Sequence, residues 1–167
     1  MSEGIFDTRQ ANKLDNPSRI EELKPLELLR DIAGISTGYT CADFGSGTGI
    51  FALPMTELVG DEGKVYAIDN SDVMHSHLRA KNPPPNLRII NSDVNETDLN
   101  DSIADICLLA FILHEVKRPD LLIAEATRLL KPGGSIIIVE WKADRDSPGP
   151  PRHIRISGEQ IKQFLVE

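Results

Sequence analysis

The chain has 167 residues, 40% of them apolar, which is enough for one domain with a sizeable core and too few for two. Its net charge of -8 and its pI near 5.0 argue against a surface that binds nucleic-acid phosphates and favour a small-molecule partner. The N-terminus has no apolar signal region and the longest apolar run, residues 106–113, is too short to cross a membrane, so the sequence predicts a cytoplasmic protein without a membrane span.

Residues 1–35 are predicted to form a helical, lid-like segment ahead of a main domain at residues 36–167. Residues 1–12 are polar and show little periodicity. Asn16 before Pro17 predicts the start of a helix, and Pro25 predicts the start of a second helix that ends at Gly34. The apolar side of this second helix is predicted to consist of Leu26, Leu28, Leu29 and Ile32.

Residues 39–52 form an apolar run that ends in Asp43 and is followed by glycines at positions 45, 47 and 49. Glycines at this spacing let a strand turn sharply into a helix and leave the backbone amides at the helix start open to a ligand. Read from Gly45, the loop is G-x-G-x-G with an acid two residues before it. Read from Gly47 to Ala52, it is G-x-G-x-x-A and fits the dinucleotide-binding fingerprint. The loop by itself leaves both interpretations open.

The rest of the chain alternates between strand and helix patterns. Further strands are predicted at residues 65–68, 87–91, 104–111 and 135–141, and further helices at residues 71–80, 119–130 and 157–164. Pro54 is predicted to bend the helix after the glycine loop, and residues 131–134 are predicted to form a tight turn. Cys41 and Cys107 lie inside apolar runs and are predicted to be buried and unpaired. This alternation predicts an α/β fold with a parallel sheet and helices on both faces.

Acidic side chains follow several of the predicted strands. Asp43, Asp69 and Asp93 follow the first three, and His114 with Glu115 follows the fourth, so all of them are expected at the ligand-binding edge of the sheet. Asp69 lies where an acid accepts both hydroxyls of a ribose. Asp43 would repel a pyrophosphate but suits a ligand with a cationic amine or a sulfonium. The chain is also too short for a second mononucleotide half, which further disfavours a dinucleotide.

Several motifs, in order, resemble those of class I S-adenosylmethionine-dependent methyltransferases of the small-molecule type, similar to ubiquinone and menaquinone C-methyltransferases. They are DFGSGTG (43–49), VYAID (65–69), NSDV (91–94), ADICLLAFILHEV (104–116) and LLKPGG (129–134). The resemblance implies a Rossmann-like doubly wound sheet with strand order 3-2-1-4-5. It also implies S-adenosylmethionine as the methyl donor, S-adenosylhomocysteine as the product and a small-molecule acceptor.

The same resemblance implies the cofactor-binding residues, which are Asp43, Gly45, Ser46, Gly47, Asp69, Asn70, Met74, Asp93, Val94 and Ala110. The glycine loop would approach the methionine part, and Asp69 would hold the ribose hydroxyls. Asn70 and Met74 would flank the adenine. The side chain of Asp93 and the amide of Val94 would bind the edge of the adenine. The carbonyl of Ala110 would accept a hydrogen bond from the methionine ammonium.

His114 is the one catalytic candidate, because its imidazole could lie over the methyl group and accept a proton from the acceptor. It could equally be a cofactor contact or a hydrogen-bonded core residue. No metal site is predicted, since His75 and His77 are two apart on a helix and face different ways.

The family usually adds an antiparallel hairpin after the last helix, and this chain is expected to lack it. Strand five would then be an unprotected apolar edge, which predicts a homo-oligomer that forms through this edge or the neighbouring helices. Two alternatives to a methyltransferase stay open at this point. One is a cofactor-binding module without catalysis of its own that acts in an oligomer, and the less favoured one is an NAD(P)-binding domain.

Overall fold

The computed structural model describes residues 11–144 and 149–166, so the predictions for residues 1–10 and 145–148 lie outside the described residues. The helices are α1 (Ala11–Leu14), α2 (Pro17–Leu23), α3 (Pro25–Glu27, continued by a π-helical turn at Leu28–Ile32), α4 (Ala52–Val59), α5 (Asp72–Ala80), α6 (Pro119–Leu129) and α7 (Gly158–Val166). A short 3-10 turn, Arg152–Ile154, precedes α7. The strands are β1 (Thr40–Phe44), β2 (Lys64–Asp69), β3 (Leu87–Asn91), β4 (Ala104–Ala110) and β5 (Leu130–Val139).

The strands form one five-stranded sheet in the order β3-β2-β1-β4-β5, and every pairing is parallel. This confirms the predicted Rossmann-like fold and strand order. β1 lies at the centre, so the glycine loop that follows it emerges from the middle of the carboxyl edge. Of the described residues that follow β5, none forms a further strand, and β5 is therefore an edge of the described sheet.

The sheet separates two apolar cores. Leu29, Met55 and Leu78 pack on one face with α3, α4 and α5, while the side chains of α6 pack on the other. Cys41 contributes to the first core and Cys107 to the second, and both are buried free thiols, as predicted. Helices on both faces of a parallel sheet are the arrangement that its short crossover connections require.

Local side chains fix where three helices begin. The Asn16 side chain accepts a hydrogen bond from the amide two residues later, at 3.0 Å, and the Ser71 hydroxyl caps α5 by accepting from the amide three residues later, at 3.3 Å. Ser157 and Gln160 form a reciprocal capping box, with the Ser157 amide donating to the Gln160 carboxamide oxygen at 2.9 Å. These starts could be predicted because a cap is a contact between near neighbours in sequence.

Three predicted strand boundaries were wrong, and one of them is the end of β5, which lies at Val139 and not at residue 141. β4 ends at Ala110 because Phe111 has a φ of +57°, a left-handed conformation that cannot continue a strand. β5 begins at Leu130, and residues 131–134 form a bulge within the strand instead of a turn before it. Ala104 pairs with Leu130 and Ile106 pairs with Ser135, so the four intervening residues loop out of the ladder.

Two helix predictions also need correction. Leu29 is fully buried, but Leu26 is 37% and Ile32 is 74% exposed, because the π-helical turn changes the helical period and rotates these side chains out of a common face. Pro54 is the third residue of α4, where a backbone N–H has no partner within the helix, so no bend is needed to accommodate it.

Candidate cofactor and active site

Hydrogen bonds to the neighbouring strand hold the glycine loop against the end of β2. The amides of Gly45 and Ser46 both donate to the carbonyl of Ile68, at 2.8 and 3.0 Å. Gly49 has a φ of +88°, and a Cβ there would overlap the Cδ1 of Leu78. Two features therefore favour glycine at position 49. The packing of α5 against the loop leaves no room for a side chain, and glycine tolerates a positive φ better than any other residue.

Asp69, at the end of β2, joins the glycine loop to the start of α5. Its Oδ2 accepts from the Gly47 amide at 2.9 Å, and its Oδ1 accepts from the Ser71 amide at 2.9 Å. A carboxylate oxygen can accept more than one hydrogen bond, so both oxygens keep capacity for a ligand hydroxyl. The side chain is also only half-buried. Asp69 is thus oriented by the protein and can still contact a ligand.

Asp43 is buried, with 2% of its surface exposed, two residues before the first glycine of the loop. Burial, reinforced by the negative charge of Asp69, raises the pKa of Asp43 to about 8, although the Ala52 amide donates to its carboxyl group. Its Oδ2 and the Oγ of Ser46 are buried and have no hydrogen-bond partner among the described residues. Unpaired polar groups beside the loop fit a ligand that brings a cationic nitrogen and further donors, which S-adenosylmethionine does.

The residues predicted to bind adenine lie on neighbouring strand ends. Asn70, directly after Asp69, is exposed, and Met74, in the first turn of α5, is buried. Asp93 follows β3 and is exposed, and its Oδ1 accepts from the amide and the side chain of Asn95 at 2.8 and 2.9 Å. Val94 packs into the core. The Asp93 contacts are those of a turn-forming acid, so its role toward adenine stays a prediction.

An aromatic cluster lies beyond the end of β4. Ala110 is half-buried, and the Phe111 ring that follows it lies 6.5 Å from Phe51 and 5.1 Å from Trp141, measured between ring centroids. The Arg19 guanidinium, on α2, lies 5.5 Å from the centroid of the Phe111 ring. Burial lowers the pKa of Arg19, and its Nε has no hydrogen-bond partner within the described part of the chain. No sequence signal identified Arg19, because nothing in α2 marks its position over the Phe111 ring.

His114 is paired with Glu140, a residue that the sequence interpretation missed. The imidazole Nδ1 lies 2.8 Å from Oε2 and 3.1 Å from Oε1 of Glu140, and the two side chains are only 6% and 5% exposed. The Nε2 lies 3.8 Å from Oε1 of Glu115. Glu140 directly follows β5, so the rule that identified the acids at the carboxyl ends of β1, β2 and β3 would have identified it too.

The described part of the N-terminal segment contacts the glycine loop. Asp15, which follows α1, accepts hydrogen bonds from the Thr48 hydroxyl and the Lys81 ammonium, each at 2.7 Å. Lys81 also donates to the carbonyl of Thr48 at 2.7 Å. A Cβ added to Gly47 would lie 3.4 Å from the Cδ1 of Leu14, which is the nearest side-chain atom. These contacts join the loop, α5 and the N-terminal segment.

An open cleft of about 640 Å³ lies between the end of β5 and α7. Glu140, the partner of His114, is one of the residues that line this cleft. The other side chains around it combine apolar and charged groups, namely Ile138, Trp141, Lys142, Ala143, Asp144, Ile156, Ser157 and Ile161.

Among residues 11–144 and 149–166, no group of three or more His, Cys, Asp or Glu side chains could hold a metal ion. His75 is fully buried, its ring nitrogens have no hydrogen-bond partner in the described chain, and burial lowers its pKa. None of the helices described is long and apolar enough to cross a membrane.

Comparison with known proteins identifies relatives of the whole sheet. Residues 42–138 match the family described as Methyltransferase domain. The ubiquinone/menaquinone biosynthesis C-methyltransferase UbiE of Idiomarina loihiensis is 31% identical over 115 residues, which are 66% of this chain and 46% of the relative. The protein of that name from Teredinibacter turnerae is 30% identical over 121 residues, 70% of this chain and 49% of the relative. The chain spans about half the length of these curated relatives.

A solved structure agrees over almost the full chain. The crystal structure of a SAM-dependent methyltransferase from Aquifex aeolicus has a TM-score of 0.89 and 31% sequence identity, and the alignment covers 97% of this chain and 87% of that one. The prediction of S-adenosylmethionine as cofactor, with S-adenosylhomocysteine as product, is confirmed by the family, and the two alternative interpretations are not favoured. The chain belongs to the S-adenosylmethionine-dependent methyltransferase family.

Proposed function

We propose that this protein transfers a methyl group from S-adenosylmethionine to a small-molecule acceptor. The observation that carries the proposal is the position of Asp69, which fixes the glycine loop through the Gly47 amide and α5 through the Ser71 amide while it keeps free acceptor capacity. When bound, the cofactor supplies a methyl carbon already activated by its sulfonium. The protein then has mainly to align the acceptor and exclude water.

The predicted roles of the other residues at this edge form part of the proposal. Asp43 and Ser46 would meet the methionine part, since both carry buried polar atoms that have no partner among the described residues. Asn70 and Met74 would flank the adenine. The Ala110 carbonyl would accept from the methionine ammonium, and Asp93 with the Val94 amide would bind the adenine edge.

His114 is proposed to accept the proton that the acceptor loses. Its imidazole lies beyond the end of β4, and its partner Glu140 lines the open cleft. The cleft is proposed as the acceptor site. Its isoleucines and Trp141 suit a small molecule with an apolar ring, in keeping with the quinone biosynthesis named for the curated relatives.

The organisation of the chain supports three further proposals. Residues 1–35 act as a lid over a cofactor-binding domain at residues 36–167, because Asp15 already contacts the loop through Thr48. The protein forms homo-oligomers through the edge of β5 or its neighbouring helices. It acts in the cytoplasm and not on nucleic acid, given its free thiols and its net charge of -8.

Calorimetry with S-adenosylhomocysteine tests the cofactor site. We expect the wild type to bind and Asp69→Ala to bind at least about tenfold more weakly, since one hydrogen bond to a charged group contributes about 1.5–3 kcal/mol. Asp61→Ala is the matched control, because Asp61 is exposed in the turn that precedes β2, at the opposite edge of the sheet. Absence of binding by the wild type, or equal affinity in Asp69→Ala, would refute the cofactor site.

Turnover separates an enzyme from a binding module. Transfer of label from methyl-tritiated S-adenosylmethionine into small-molecule acceptors, with reduced quinones tested first, is expected above the background of an Asp69→Ala sample. A protein that binds S-adenosylhomocysteine but transfers no label to any acceptor of the panel would favour the module.

A further inference from the structure

Glu140 and His114 form a buried pair whose two members come from different strand ends. The carboxylate contacts the imidazole Nδ1 with both oxygens, at 2.8 and 3.1 Å, and neither side chain is more than 6% exposed. Such a pair costs desolvation energy, so its geometry has to be well satisfied to persist. Both carboxylate oxygens of Glu140 therefore need hydrogen-bond donors that are held in fixed positions.

Backbone donors fix the carboxylate of Glu140. The amide of Trp141 donates to Oε2 at 3.2 Å, and the amide of His114 itself donates to Oε1 at 3.4 Å. His114 thus offers its backbone and its side chain to the same carboxylate. This arrangement restricts the rotation of the imidazole and keeps its Nδ1 directed at Glu140.

The contacts of the two ring nitrogens differ. A carboxylate only accepts hydrogen bonds, so the nitrogen that faces it has to carry a proton. Nε2 makes no hydrogen bond to any described residue, and its distance of 3.8 Å from Glu115 is too long for one. In the neutral ring the nitrogen opposite a protonated Nδ1 carries a lone pair.

We infer that Glu140 is a positioning residue that holds neutral His114 as the Nδ1–H tautomer, with the Nε2 lone pair available to accept a proton. The inference rests on the proposed function, in which His114 takes the proton that the acceptor releases when its bond to the methyl carbon forms. The electron pair of the broken carbon–sulphur bond stays on sulphur, and the proton binds Nε2. Glu140 then stabilises the resulting imidazolium, which returns the proton to solvent.

The charges that face His114 come from three elements. Glu140 follows β5, Glu115 follows the histidine itself, and the Arg19 guanidinium on α2 interacts electrostatically with Glu115. Glu115 lies on the Nε2 side, and among the described residues only Glu140 contacts Nδ1. The tautomer is therefore assigned to Glu140 alone.

Nitrogen NMR of protein labelled with 15N-histidine measures the tautomer directly, at a pH where the rings are neutral. His114→Gln identifies the His114 signals by their loss. In the wild type we expect a protonated Nδ1 and an unprotonated Nε2. Glu140→Gln should lose this single tautomer and give a mixture, because a carboxamide can donate to Nδ1 as well as accept from it.

Glu115→Gln is the matched control, since it makes the same chemical change in the neighbouring acid and should leave the His114 signals in the wild-type tautomer. Glu140→Asp keeps the carboxylate and should retain more of the Nδ1–H form than Glu140→Gln. It also serves as a second variant, should Glu140→Gln fail to fold by circular dichroism. A proton on Nε2 of the wild type, in a neutral or a cationic ring, or an unchanged tautomer in Glu140→Gln, would overturn the inference.

Calorimetry with S-adenosylhomocysteine separates this result from the proposed function. One result is that the wild type binds S-adenosylhomocysteine, that Asp69→Ala lowers this affinity, and that Nε2 of the wild type is protonated. The role of Glu140 then fails while the cofactor site stands. If the ligand does not bind, the proposed function fails whichever tautomer is found.

Discussion

Asp43 and Asp69 are two carboxylates at adjacent strand ends with different surroundings. Asp69 is half-buried and accepts two backbone amides, whereas Asp43 is buried and has an oxygen with no partner among the described residues. Desolvation disfavours the charged form of a carboxyl group, and the charge of Asp69 adds to this effect on Asp43. Burial and this neighbouring charge therefore favour the protonated form of Asp43 in the folded protein.

The raised pKa of Asp43 predicts a specific dependence of stability on pH. Asp43 titrates near 8 in the folded protein and near its ordinary value of 3.8 when unfolded, so the folded state binds more protons between these values. The contribution of Asp43 to the free energy of unfolding should then fall as the pH rises through this window, by at most about 1.4 kcal/mol per pH unit. Asp43→Asn should lack this decline.

Urea unfolding of the wild type and Asp43→Asn at pH 5, 6, 7 and 8 checks the prediction. The difference between the two proteins isolates Asp43, because the lowered pKa of His75 acts in the opposite sense and is common to both. Two stability curves that run parallel across this range would contradict a raised pKa.

Glycine at position 49 is predicted to matter for packing as well as for conformation. Gly49→Ala places a Cβ at positive φ and against the buried Leu78, so it combines backbone strain with overpacking and should cost about 2–4 kcal/mol in the free energy of unfolding. Gly38→Ala is the control, since Gly38 has a similar φ of +82° and nothing within 4 Å of its Cβ position. We expect it to cost about 1 kcal/mol. If the two variants lose the same free energy of unfolding in denaturant titrations, the Cβ at position 49 does not clash with Leu78.

At the scale of elements, the sheet brings distant segments to one edge. Asp15 precedes α2, Thr48 lies in the glycine loop and Lys81 ends α5, yet their side chains and backbone form one hydrogen-bonded group. The Asp15 and Lys81 side chains are 27% and 30% exposed, so solvent screens their charges only in part. Contacts of this kind can hold the proposed lid closed and still allow it to open.

Asp15→Ala is predicted to accelerate the release of bound S-adenosylhomocysteine by about fivefold, as expected from the loss of about 1 kcal/mol of lid contacts. Stopped-flow displacement measures the release rate. Glu27→Ala is the matched control, because it removes an exposed ion pair to Lys24 in the same N-terminal segment at 3.4 Å. If the two variants release the ligand equally fast, these contacts do not hold the lid.

At the scale of the whole molecule, the described sheet has two edges. β3 forms one and β5 the other, and the last four residues of β5 are isoleucines and a valine that are half-buried on both faces. Pro132 and the bulge around it interrupt the start of β5, which limits strand addition to its second half, residues 135–139.

Self-association through β5 predicts that amide hydrogen exchange at residues 136–139 slows as the protein concentration rises through the micromolar range. The reason is that a partner strand would bond the outward-facing backbone groups of this edge. Residues 87–91 of β3, at the opposite edge, are the internal control and should exchange at a constant rate. Sedimentation that shows only monomers at every concentration would exclude the oligomer.

The sequence by itself determined the order of strands and helices, the family, three helix starts and the acids at the carboxyl ends of β1, β2 and β3. Each of these depends on near neighbours in the chain, such as an N-cap, a glycine spacing or an apolar run. Glu140 followed the same rule as the other acids and was within reach of sequence reasoning.

The tertiary structure decided which of these groups meet. The pairing of His114 with Glu140 depends on the register between β4 and β5, which the bulge at residues 131–134 shifts. The position of Arg19 over Phe111 depends on how α2 docks on the sheet. A contact between residues far apart in sequence is set by packing and register, and neither is encoded in the local pattern around either residue.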